Sequence, residues 1–404
     1  MNIRVGIMTA KQIRYKLHGN YLQKQLPDGT LFEPQDSDCY FELEDVTIGI
    51  DFHWQRNETQ SFRGALKIMN QGVNQQAVNI LDIEDYLESV IASEMSATSS
   101  PELLKTHAII SRSWAINAIL QESAQGTKSA SPTPKSRLIK FYERDAHTDF
   151  DVCADDHCQR YQGITRISSD NVHQAIEATR GLILKYNGKV ADARFYKCCG
   201  GATELFENVW ADNHHPYLIS QADTFNTSLP DLTNEENARE WIVSSPDAFC
   251  NTTDKNILSQ VLNNYDQETP DFYRWTVSYT QSQLSELING KSGIDFGVIQ
   301  DLKPVKRGPS GRIIELQITG SKKSLIIGKE LEIRKWLSPT HLYSSAFVID
   351  RNDQQDFILH GAGWGHGVGL CQIGAAMMAH EGYNYQQILQ HYFPHTTIEQ
   401  LSSL

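Results

Sequence analysis

The stretch Leu81-Asp-Ile-Glu-Asp-Tyr-Leu-Glu-Ser-Val-Ile-Ala-Ser-Glu-Met95 marks the point at which a strand-like sequence gives way to a helix. Asp82 is a good helix N-cap, and the acidic residues that follow it suit the positive end of a helix dipole. The apolar residues after them recur at helical spacing. The stretch therefore predicts a helix over residues 83–95.

Glu94 completes one face of this predicted helix. Leu87, Val90 and Ile91 precede it at the i, i+3, i+4, i+7 spacing of a single stripe. A carboxyl held against apolar surface should have a raised pKa, because burial disfavours its charged form. A general acid needs such a pKa to protonate a leaving oxygen near neutral pH. The alternative is a helix-end glutamate that reaches back to solvent.

The residues on either side of this helix define the fold class. Residues 1–80 alternate apolar and polar positions, as in Tyr40–Ile50 and Phe62–Ile68, and predict a β-rich N-terminal region. Residues 81–404 form the predicted catalytic region, with a polar loop insertion at 124–137 and an additional α/β segment at 225–350. We therefore expect a mixed α+β fold, β-rich, with a few helices that carry the candidate acid.

Composition excludes some classes of function. The formal net charge is -13, which does not suit a protein that neutralises nucleic-acid phosphates. No stretch reaches the ~20 apolar residues that a transmembrane helix needs. The first ten residues resemble a strand rather than a secretory signal peptide. We expect no nucleic-acid partner and no transmembrane segment.

Arg112 is a second candidate site residue. Leu104, Ala108 and Arg112 are successive i, i+4 neighbours on the next predicted helix, which opens at Ser100-Pro101-Glu102. The arginine therefore points with the apolar face and needs a carboxylate or a ligand oxygen. It could support catalysis, or it could form a structural pair with a loop carboxylate.

A short cluster of histidine and cysteine indicates a metal site. His147, Cys153 and Cys158 have ligand types that suit tetrahedral Zn²⁺, and His157 lies beside the last cysteine. Cys198 or Cys199 could supply a remaining ligand. The alternative is a set of loop thiols that bind no metal.

A glycine-rich run near the C-terminus is the third candidate. Glycine occupies every second position from 361 to 369 in Gly361-Ala-Gly-Trp-Gly-His-Gly-Val-Gly369. On a strand, this pattern would clear one face for a sugar ring or another backbone, while Trp364 and His366 project from the other face. Gln372 follows the run. The alternative is close packing, with His366 hydrogen-bonded in the core.

These segments together resemble the stage II sporulation protein D / amidase enhancer family. The matching stretches include Ala92-Ser-Glu-Met95, Lys105-Thr-His-Ala-Ile-Ile-Ser-Arg112, Cys199-Gly-Gly201 and Gly363-Trp-Gly-His-Gly-Val-Gly369 with Gln372-Ile-Gly-Ala375. The glycine-rich run with its Gln-containing tail is the most specific part. The chain departs from the family pattern at His107, where the family usually carries Gln, and in the insertion at 124–137.

The resemblance implies a lytic transglycosylase that cleaves peptidoglycan glycan strands. It implies Glu94 as the acid/base and Arg112 as its support. We expect Trp364, His366 and Gln372 to bind substrate, since a tryptophan ring can stack on a sugar and a histidine can hydrogen-bond its hydroxyl groups. The resemblance also implies Zn²⁺ at His147, Cys153 and Cys158. The expected location is the cell envelope, outside the cytoplasm.

Two other functions stay open at this point. Some family members are described as enhancers of a separate cell-wall amidase, so this chain could bind glycan without cleaving it. A zinc hydrolase is the third possibility, although thiolate-rich zinc sites are more often structural. Only one candidate carboxylate stands out, whereas glycosidases that use two carboxylates place a second one across the sugar.

Overall fold

A computed structural model describes residues 1–50, 55–122, 136–141, 147–155, 157–167, 169–225, 228–262 and 271–401, without the side chains of residues 121 and 122. Strands make up 33% and helices 27% of the residues that the structure describes, which confirms a mixed α+β, β-rich fold. The insertion predicted at 124–137 lies outside the described residues, apart from its last two positions.

The helices begin and end close to the positions that the local sequence signals predict. Asp82 accepts a hydrogen bond from the backbone N–H of Glu84 at the start of α1, and Asn384 forms a capping box with Gln387 at the start of α9. The helices in the described part of the chain are α1 Ile83–Glu94, α2 Pro101–Glu122, α3 Asp170–Ala178, α4 Glu235–Val243, α5 Lys255–Val261, α6 Gln281–Ser292, α7 Glu330–Trp336, α8 Gln372–His380 and α9 Tyr385–Tyr392.

The strands are short and form several separate sheets. Two 3₁₀ turns, Gly163–Arg166 and Phe206–Asn208, lie between them. The strands are β1 Asn2–Ala10, β2 Tyr15–His18, β3 Tyr21–Leu26, β4 Gly29–Pro34, β5 Tyr40–Ile48, β6 Arg56–Arg63, β7 Ala65–Gln71, β8 Asn74–Asp82, β9 Arg137–Ile139, β10 Val152–Cys153, β11 Leu182–Tyr186, β12 Lys189–Val190, β13 Phe195–Tyr196, β14 Arg274–Tyr279, β15 Ile299–Arg307, β16 Ile313–Gly320, β17 Ser324–Gly328, β18 Phe347–Arg351, β19 Phe357–Ala362, β20 Leu370–Cys371 and β21 Thr397–Gln400.

The N-terminal region contributes most of a six-stranded sheet, in the order β10-β1-β8-β7-β4-β3. The run Phe62–Ile68, predicted as one strand, is instead divided between β6 and β7. Gly64 separates them with a φ of +85°, a left-handed conformation that interrupts an extended strand. Strand β10, which contains Cys153, joins this sheet by parallel pairing with β1. The sheet therefore holds the candidate metal segment beside the N-terminal strands.

Helices α1 and α2 pack into the largest hydrophobic core. The stripe of Leu87, Val90 and Ile91 is fully buried there, together with residues from β1, β5 and the C-terminal helices. The predicted apolar face of α1 is therefore confirmed. Because strand β8 runs directly into α1, the sheet fixes where the helix begins and, through its length, where Glu94 lies.

A second core lies within residues 275–359. It contains Trp275, Phe296, Leu316 and Phe347, contributed by strands β14 to β19 and helices α6 and α7. This core belongs to the part of the chain in which the sequence predicted an additional α/β segment. Helix α6 and strand β16 are among the elements of both kinds that this segment contains.

The glycine-rich run is a loop rather than a strand. Only Gly361 and Ala362 belong to a strand, the end of β19. Gly363, Gly365, Gly367 and Gly369 have φ values of +76°, +109°, +87° and +84°, which no strand adopts. The prediction of an extended glycine ribbon was therefore wrong, because alternating glycines suit repeated left-handed turns as well as they suit a bare strand face.

Among the described helices, none combines the length and the hydropathy that are needed to cross a bilayer.

Candidate functional site

Glu94 is the last residue of α1 and its side chain is buried, with 7% of the residue exposed. Its Oε1 accepts a hydrogen bond of 2.9 Å from the backbone N–H of Arg160. The Lys197 Nζ donates to the main-chain carbonyls of Glu94 and Val261, both at 3.1 Å. Lysine at the C-terminal end of a helix stabilises the carbonyls that lack helical partners. Hydrogen bonds therefore hold both the side-chain carboxyl group and the main-chain carbonyl of Glu94.

The segment after the predicted metal cluster packs against a buried side of α1. The Tyr86 hydroxyl donates to Gln159 Oε1 at 3.0 Å, and the Gln162 N–H donates to Ser89 Oγ at 3.2 Å. The contact between Arg160 and Glu94 lies between these two along the chain. Residues 159–162 therefore run beside the helix and fix the orientation of the Glu94 carboxyl group.

The predicted metal ligands converge. His147 Nε2 lies 3.4 Å from Cys158 Sγ, and His157 Nδ1 lies 3.8 Å from Cys153 Sγ and 3.6 Å from Cys158 Sγ. The four ligand atoms all lie within 4.8 Å of one another. Tetrahedral zinc, with bonds of about 2.3 Å to sulfur and about 2.0 Å to nitrogen, places its ligand atoms roughly 3.3–3.8 Å apart. These residues fit a zinc ion.

The cluster also favours the thiolate form that a metal requires. The hydrogen bond from Cys158 lowers the pKa of Cys153 to about 2, and His147 and His157 act in the same direction. His157 completes the set of four ligands. The expectation that Cys198 or Cys199 supplies the fourth ligand was wrong, because both cysteines lie in a different buried cluster near Cys250.

Arg112 does not reach Glu94. It is fully buried, and its guanidinium forms two hydrogen bonds with the Glu84 carboxylate, at 3.0 Å and 2.6 Å. Glu84 lies at the opposite end of α1 from Glu94, about 15 Å away along the helix at 1.5 Å per residue. The second terminal nitrogen of Arg112 donates to the carbonyl of Leu182 at 3.0 Å. The expected support of Glu94 by Arg112 is absent, and Arg112 instead joins α2 to α1 and β11.

His366 is satisfied by backbone on both ring nitrogens. Its Nε2 donates to the carbonyl of Phe195 at 3.0 Å, and its Nδ1 accepts from the N–H of Val368 at 3.1 Å. Burial lowers the pKa of His366 well below its usual value, with Arg194 contributing in the same direction. The imidazole is therefore neutral and locks the glycine-rich loop onto β13. The packing alternative describes His366 better than a glycan contact does.

Trp364 and Gln372 are also engaged inside the protein. The Trp364 ring stacks on Phe272 at 5.1 Å between centroids with a 2° interplanar angle, and meets Tyr343 edge-on. Gln372 is 1% exposed, and its Nε2 lies 2.9 Å from Nε2 of His107. The geometry favours packing over sugar recognition for both residues. It does bring Gln372 to His107, the position that departs from the family pattern.

A cavity of about 360 Å³ opens beside the segment that holds Glu94. Its wall includes Arg160 and Gln162 of that segment, the candidate metal ligands His147 and His157, and Gln60 of β6. The cavity thus lies between the metal cluster and the N-terminal strands. A ligand bound in this concave surface would contact Arg160, the residue whose N–H binds Glu94.

Sequence reasoning noted His157 only as the neighbour of Cys158, although a second histidine in a His/Cys cluster is itself a signal for a ligand. It missed Lys197 and the Arg160 N–H, because one follows the distant strand β13 and the other is a backbone group. Contacts between segments far apart in sequence leave no local spacing pattern.

Comparison with known protein families finds two matching family models. A family model described as a stage II sporulation protein (SpoIID) matches residues 71–186. The chain contains a SpoIID domain. This domain includes Glu94, Arg112 and all four residues of the His/Cys cluster. A second family model, described as a domain of unknown function (DUF8618), matches residues 204–369 and includes most of the glycine-rich loop.

Curated relatives confirm the resemblance of the SpoIID-containing chain to this family. The amidase enhancer of Bacillus subtilis (strain 168) is 27% identical over 325 residues, which is 77% of this chain but only 40% of that protein. Stage II sporulation protein D of the same organism is 26% identical over 329 residues, 80% of this chain and 76% of that protein. A protein of Brachyspira hyodysenteriae, named as uncharacterized, is 29% identical over 369 residues, 91% of this chain and 75% of its own length.

Proposed function

We propose that this protein cleaves the glycan strands of peptidoglycan in the cell envelope as a lytic transglycosylase, with Glu94 as its general acid/base. The observation that carries the proposal is the position of Glu94. It is a buried carboxyl group at the end of α1, oriented by the N–H of Arg160, and Arg160 is one of the residues that line the cavity. The SpoIID domain and the names of the relatives support a role in the cell wall.

One carboxyl group is sufficient for the reaction. Glu94, as the neutral acid, donates its proton to the glycosidic oxygen as the bond between that oxygen and C1 of muramic acid breaks. The Glu94 carboxylate then takes the proton of the 6-hydroxyl group of the same muramic acid. The oxygen of that hydroxyl bonds to C1 and closes a 1,6-anhydro ring. Glu94 returns to the acid form, and no water is consumed.

Zinc at the His/Cys cluster has a structural role in this proposal. His147, Cys153, His157 and Cys158 would fill four tetrahedral positions and leave none for water, which is the arrangement of structural zinc sites. A bound ion would connect the segment before β10 to the segment that continues into Arg160. The four residues of the His/Cys cluster would thereby keep the Arg160 N–H aligned with the Glu94 carboxyl group. The closed ligand set argues against a zinc hydrolase.

The substitution Glu94→Gln tests the assignment. It removes the proton donor but keeps the hydrogen-bond acceptor for Arg160, so the fold should persist while the cleavage rate falls by about 10²-fold or more. The measurement is mass analysis of anhydro-muropeptides released from purified peptidoglycan. Glu88→Gln is the matched control, because Glu88 is a buried glutamate of the same helix that pairs with Arg63 and His173. Cleavage by Glu94→Gln at the wild-type rate would refute the assignment.

The second candidate is a glycan-binding enhancer of a cell-wall amidase. The observation that favours it is the name of the Bacillus subtilis relative, of which this chain covers 40%. An enhancer should release no soluble product from peptidoglycan alone and should increase product release when an amidase is added. The same mass analysis, run with and without the amidase, separates the two functions.

A further inference from the structure

Four of the cysteines and one aspartate lie together in the core, away from the His/Cys cluster of the SpoIID domain. Cys199, Cys250 and Cys371 are at most 2% exposed and Asp223 is fully buried. One ligand atom from each of these four residues lies within 4.8 Å of every other. Cys198, which is also fully buried, adjoins Cys250 and Cys371. The cysteines are free thiols in the structure.

We propose that Cys199, Cys250, Cys371 and Asp223 form a second, closed metal site that takes a zinc-class divalent ion. Three thiolates and one carboxylate are ligand types that zinc accepts, and four protein ligands leave no open position. The Sγ atoms of Cys199 and Cys250 are 3.3 Å apart, close to the roughly 3.8 Å expected between two thiolates on tetrahedral zinc. The site would be structural.

The backbone around Cys199 supports this assignment. The N–H of Gly201 donates to the sulfur of Cys199 at 3.3 Å, and the N–H of Cys199 donates to the sulfur of Cys371 at 3.2 Å. Gly200 and Gly201 have φ values of +74° and +101°, and this left-handed turn aims the Gly201 N–H at the sulfur. Hydrogen bonds from backbone N–H groups to sulfur stabilise metal-bound thiolates.

The position of Cys371 is set by the elements on either side of it. It is the N-cap residue of α8 and the last residue of β20. Parallel pairing of β20 with β13 sets Cys371 opposite Tyr196. The short sheet therefore brings Cys371 close to the turn that contains Cys199.

Asp223 is oriented in the manner of a metal-binding carboxylate. Its Oδ1 accepts from the Tyr392 hydroxyl at 2.6 Å, and its Oδ2 accepts from the N–H of Cys250 at 2.9 Å. The His391 Nε2, 3.9 Å from Oδ1, is buried and has no hydrogen-bond partner among the described residues. A divalent ion bound here would replace the thiol protons of the three cysteines and balance the charge of the thiolates and of the Asp223 carboxylate.

The proposed site would join parts of the chain that are far apart in sequence. Cys199 lies between the SpoIID match and the DUF8618 match, Asp223 and Cys250 lie within the second match, and Cys371 follows it. A metal ion here would fix β13, β20 and the loop before α5 to one another. This role is independent of glycan cleavage, so its test does not depend on the proposed function.

Metal counting on the full chain tests the proposal. Protein purified with zinc present should contain about two zinc ions per chain by elemental analysis and by native mass spectrometry. Cys250→Ser should retain about one ion, at the His/Cys cluster, and His157→Ala should also retain about one. Cys39→Ser is the matched control, because Cys39 is a buried cysteine outside both clusters, and it should retain two.

Two results would overturn the second site. One is a wild-type chain with a single zinc ion that His157→Ala removes and Cys250→Ser retains. The other is a disulfide between Cys199 and Cys250, seen as a mass loss of two hydrogens in protein prepared without oxidant. If Cys250→Ser does not fold, the native mass of the wild-type chain still decides between one ion and two. Replacement by Co²⁺ adds an independent readout, since three thiolates give stronger charge-transfer absorption than the two of the first cluster.

Discussion

Two buried glutamates of α1 illustrate how a partner determines the role of a residue. Glu84 forms two hydrogen bonds with the fully buried Arg112, so its charge is neutralised and its oxygen atoms are occupied. Glu94 instead accepts a backbone N–H from Arg160. The N–H of Arg160 fixes the orientation of the Glu94 carboxyl group. Glu84 is committed to a structural ion pair with Arg112, and we therefore propose Glu94 rather than Glu84 as the acid/base.

His107 of α2 is held in the core by two polar side chains. The imidazole is fully buried between Ser111, at 3.2 Å from Nδ1, and Gln372, at 2.9 Å from Nε2. Because the side-chain amide nitrogen of Gln372 donates to Nε2, the proton of the neutral ring must lie on Nδ1. Burial lowers the pKa of His107 to about 3, and Lys197 acts in the same direction.

This histidine should make the stability of the protein depend on pH. The unfolded chain binds a proton at His107 below about pH 6.5, whereas the folded chain does so only near pH 3, so acid favours unfolding across that window. Each pH unit below 6.5 should lower the free energy of unfolding by about 1.4 kcal/mol for this residue. Above about pH 7, His107 is neutral in both the folded and the unfolded chain, and this loss of stability is absent.

Urea unfolding of the wild-type chain and of His107→Gln at pH 8, 6 and 5 measures the effect. Glutamine can still exchange a hydrogen bond with Gln372 but does not titrate, so the variant should lose less stability between pH 6 and pH 5. The comparison uses the change in the free energy of unfolding with pH. If the substitution lowers that free energy by the same amount at all three pH values, the comparison is unaffected. Parallel curves for the two proteins would show that His107 does not set the pH dependence.

At the scale of the element, the glycine-rich loop is a packing device. The side chain of Arg312 is fully buried and donates to the carbonyls of Gly365, at 3.2 Å, and Cys199, at 3.4 Å. A Cβ atom at Gly367 would lie 2.6 Å from the Arg312 Cζ atom. The loop therefore needs glycine for two reasons, its left-handed backbone and the guanidinium that fills the space beside it.

Substitution of Gly367 separates these two reasons. Gly367→Ala adds both a left-handed alanine and a clash with Arg312, whereas Gly382→Ala adds only the left-handed alanine, because Gly382 has a φ of +92° and open space around it. Gly382→Ala should cost about 1–2 kcal/mol. Gly367→Ala should cost about 1–3 kcal/mol more because of overpacking, and Gly367→Val more again. Chemical denaturation measures the free energy of unfolding of each variant. Equal losses of stability in Gly367→Ala and Gly382→Ala would mean that the Arg312 side chain can move aside at no cost in free energy.

The helices show which parts of the fold were readable from sequence. Asp82, the Thr280 capping box of α6 and the Asn384 capping box of α9 are local signals, and each helix begins where its signal lies. The alternating glycines were misread, because their spacing fits both a strand and a series of left-handed turns. Local patterns determine an element when only one conformation satisfies them.

At the scale of the whole molecule, the site depends on contacts that no spacing could predict. Glu94 could be proposed from its helical stripe, and His147, Cys153 and Cys158 from their proximity in sequence. The Arg160 N–H and Lys197 could not be identified in this way. Cys250 and Cys371 are each far from Cys199 in sequence, yet the fold brings both to Cys199. Such convergence depends on the three-dimensional path of the chain, which short-range periodicity does not encode.

The two hydrophobic cores lead to a prediction about the whole molecule. Ile91 belongs to the core around α1 and Leu316 to the core of residues 275–359, and both side chains are fully buried. We expect the two cores to unfold as separate cooperative units, because each has its own set of buried apolar residues. Truncation of either residue to alanine should cost about 2–5 kcal/mol in its own core.

Glycan cleavage and tryptophan fluorescence, followed through urea unfolding, distinguish the cores. Leu316→Ala should shift the transition that reports Trp275 and Trp336 of the second core, while cleavage persists to the wild-type urea concentration. Ile91→Ala should shift the loss of cleavage and leave the second core unchanged, since Ile91 lies on α1, one turn before Glu94. The two side chains are isomers, so the volume removed is matched. If both variants shift one common transition by the same amount, the chain unfolds as a single unit, and the second core supports the site directly.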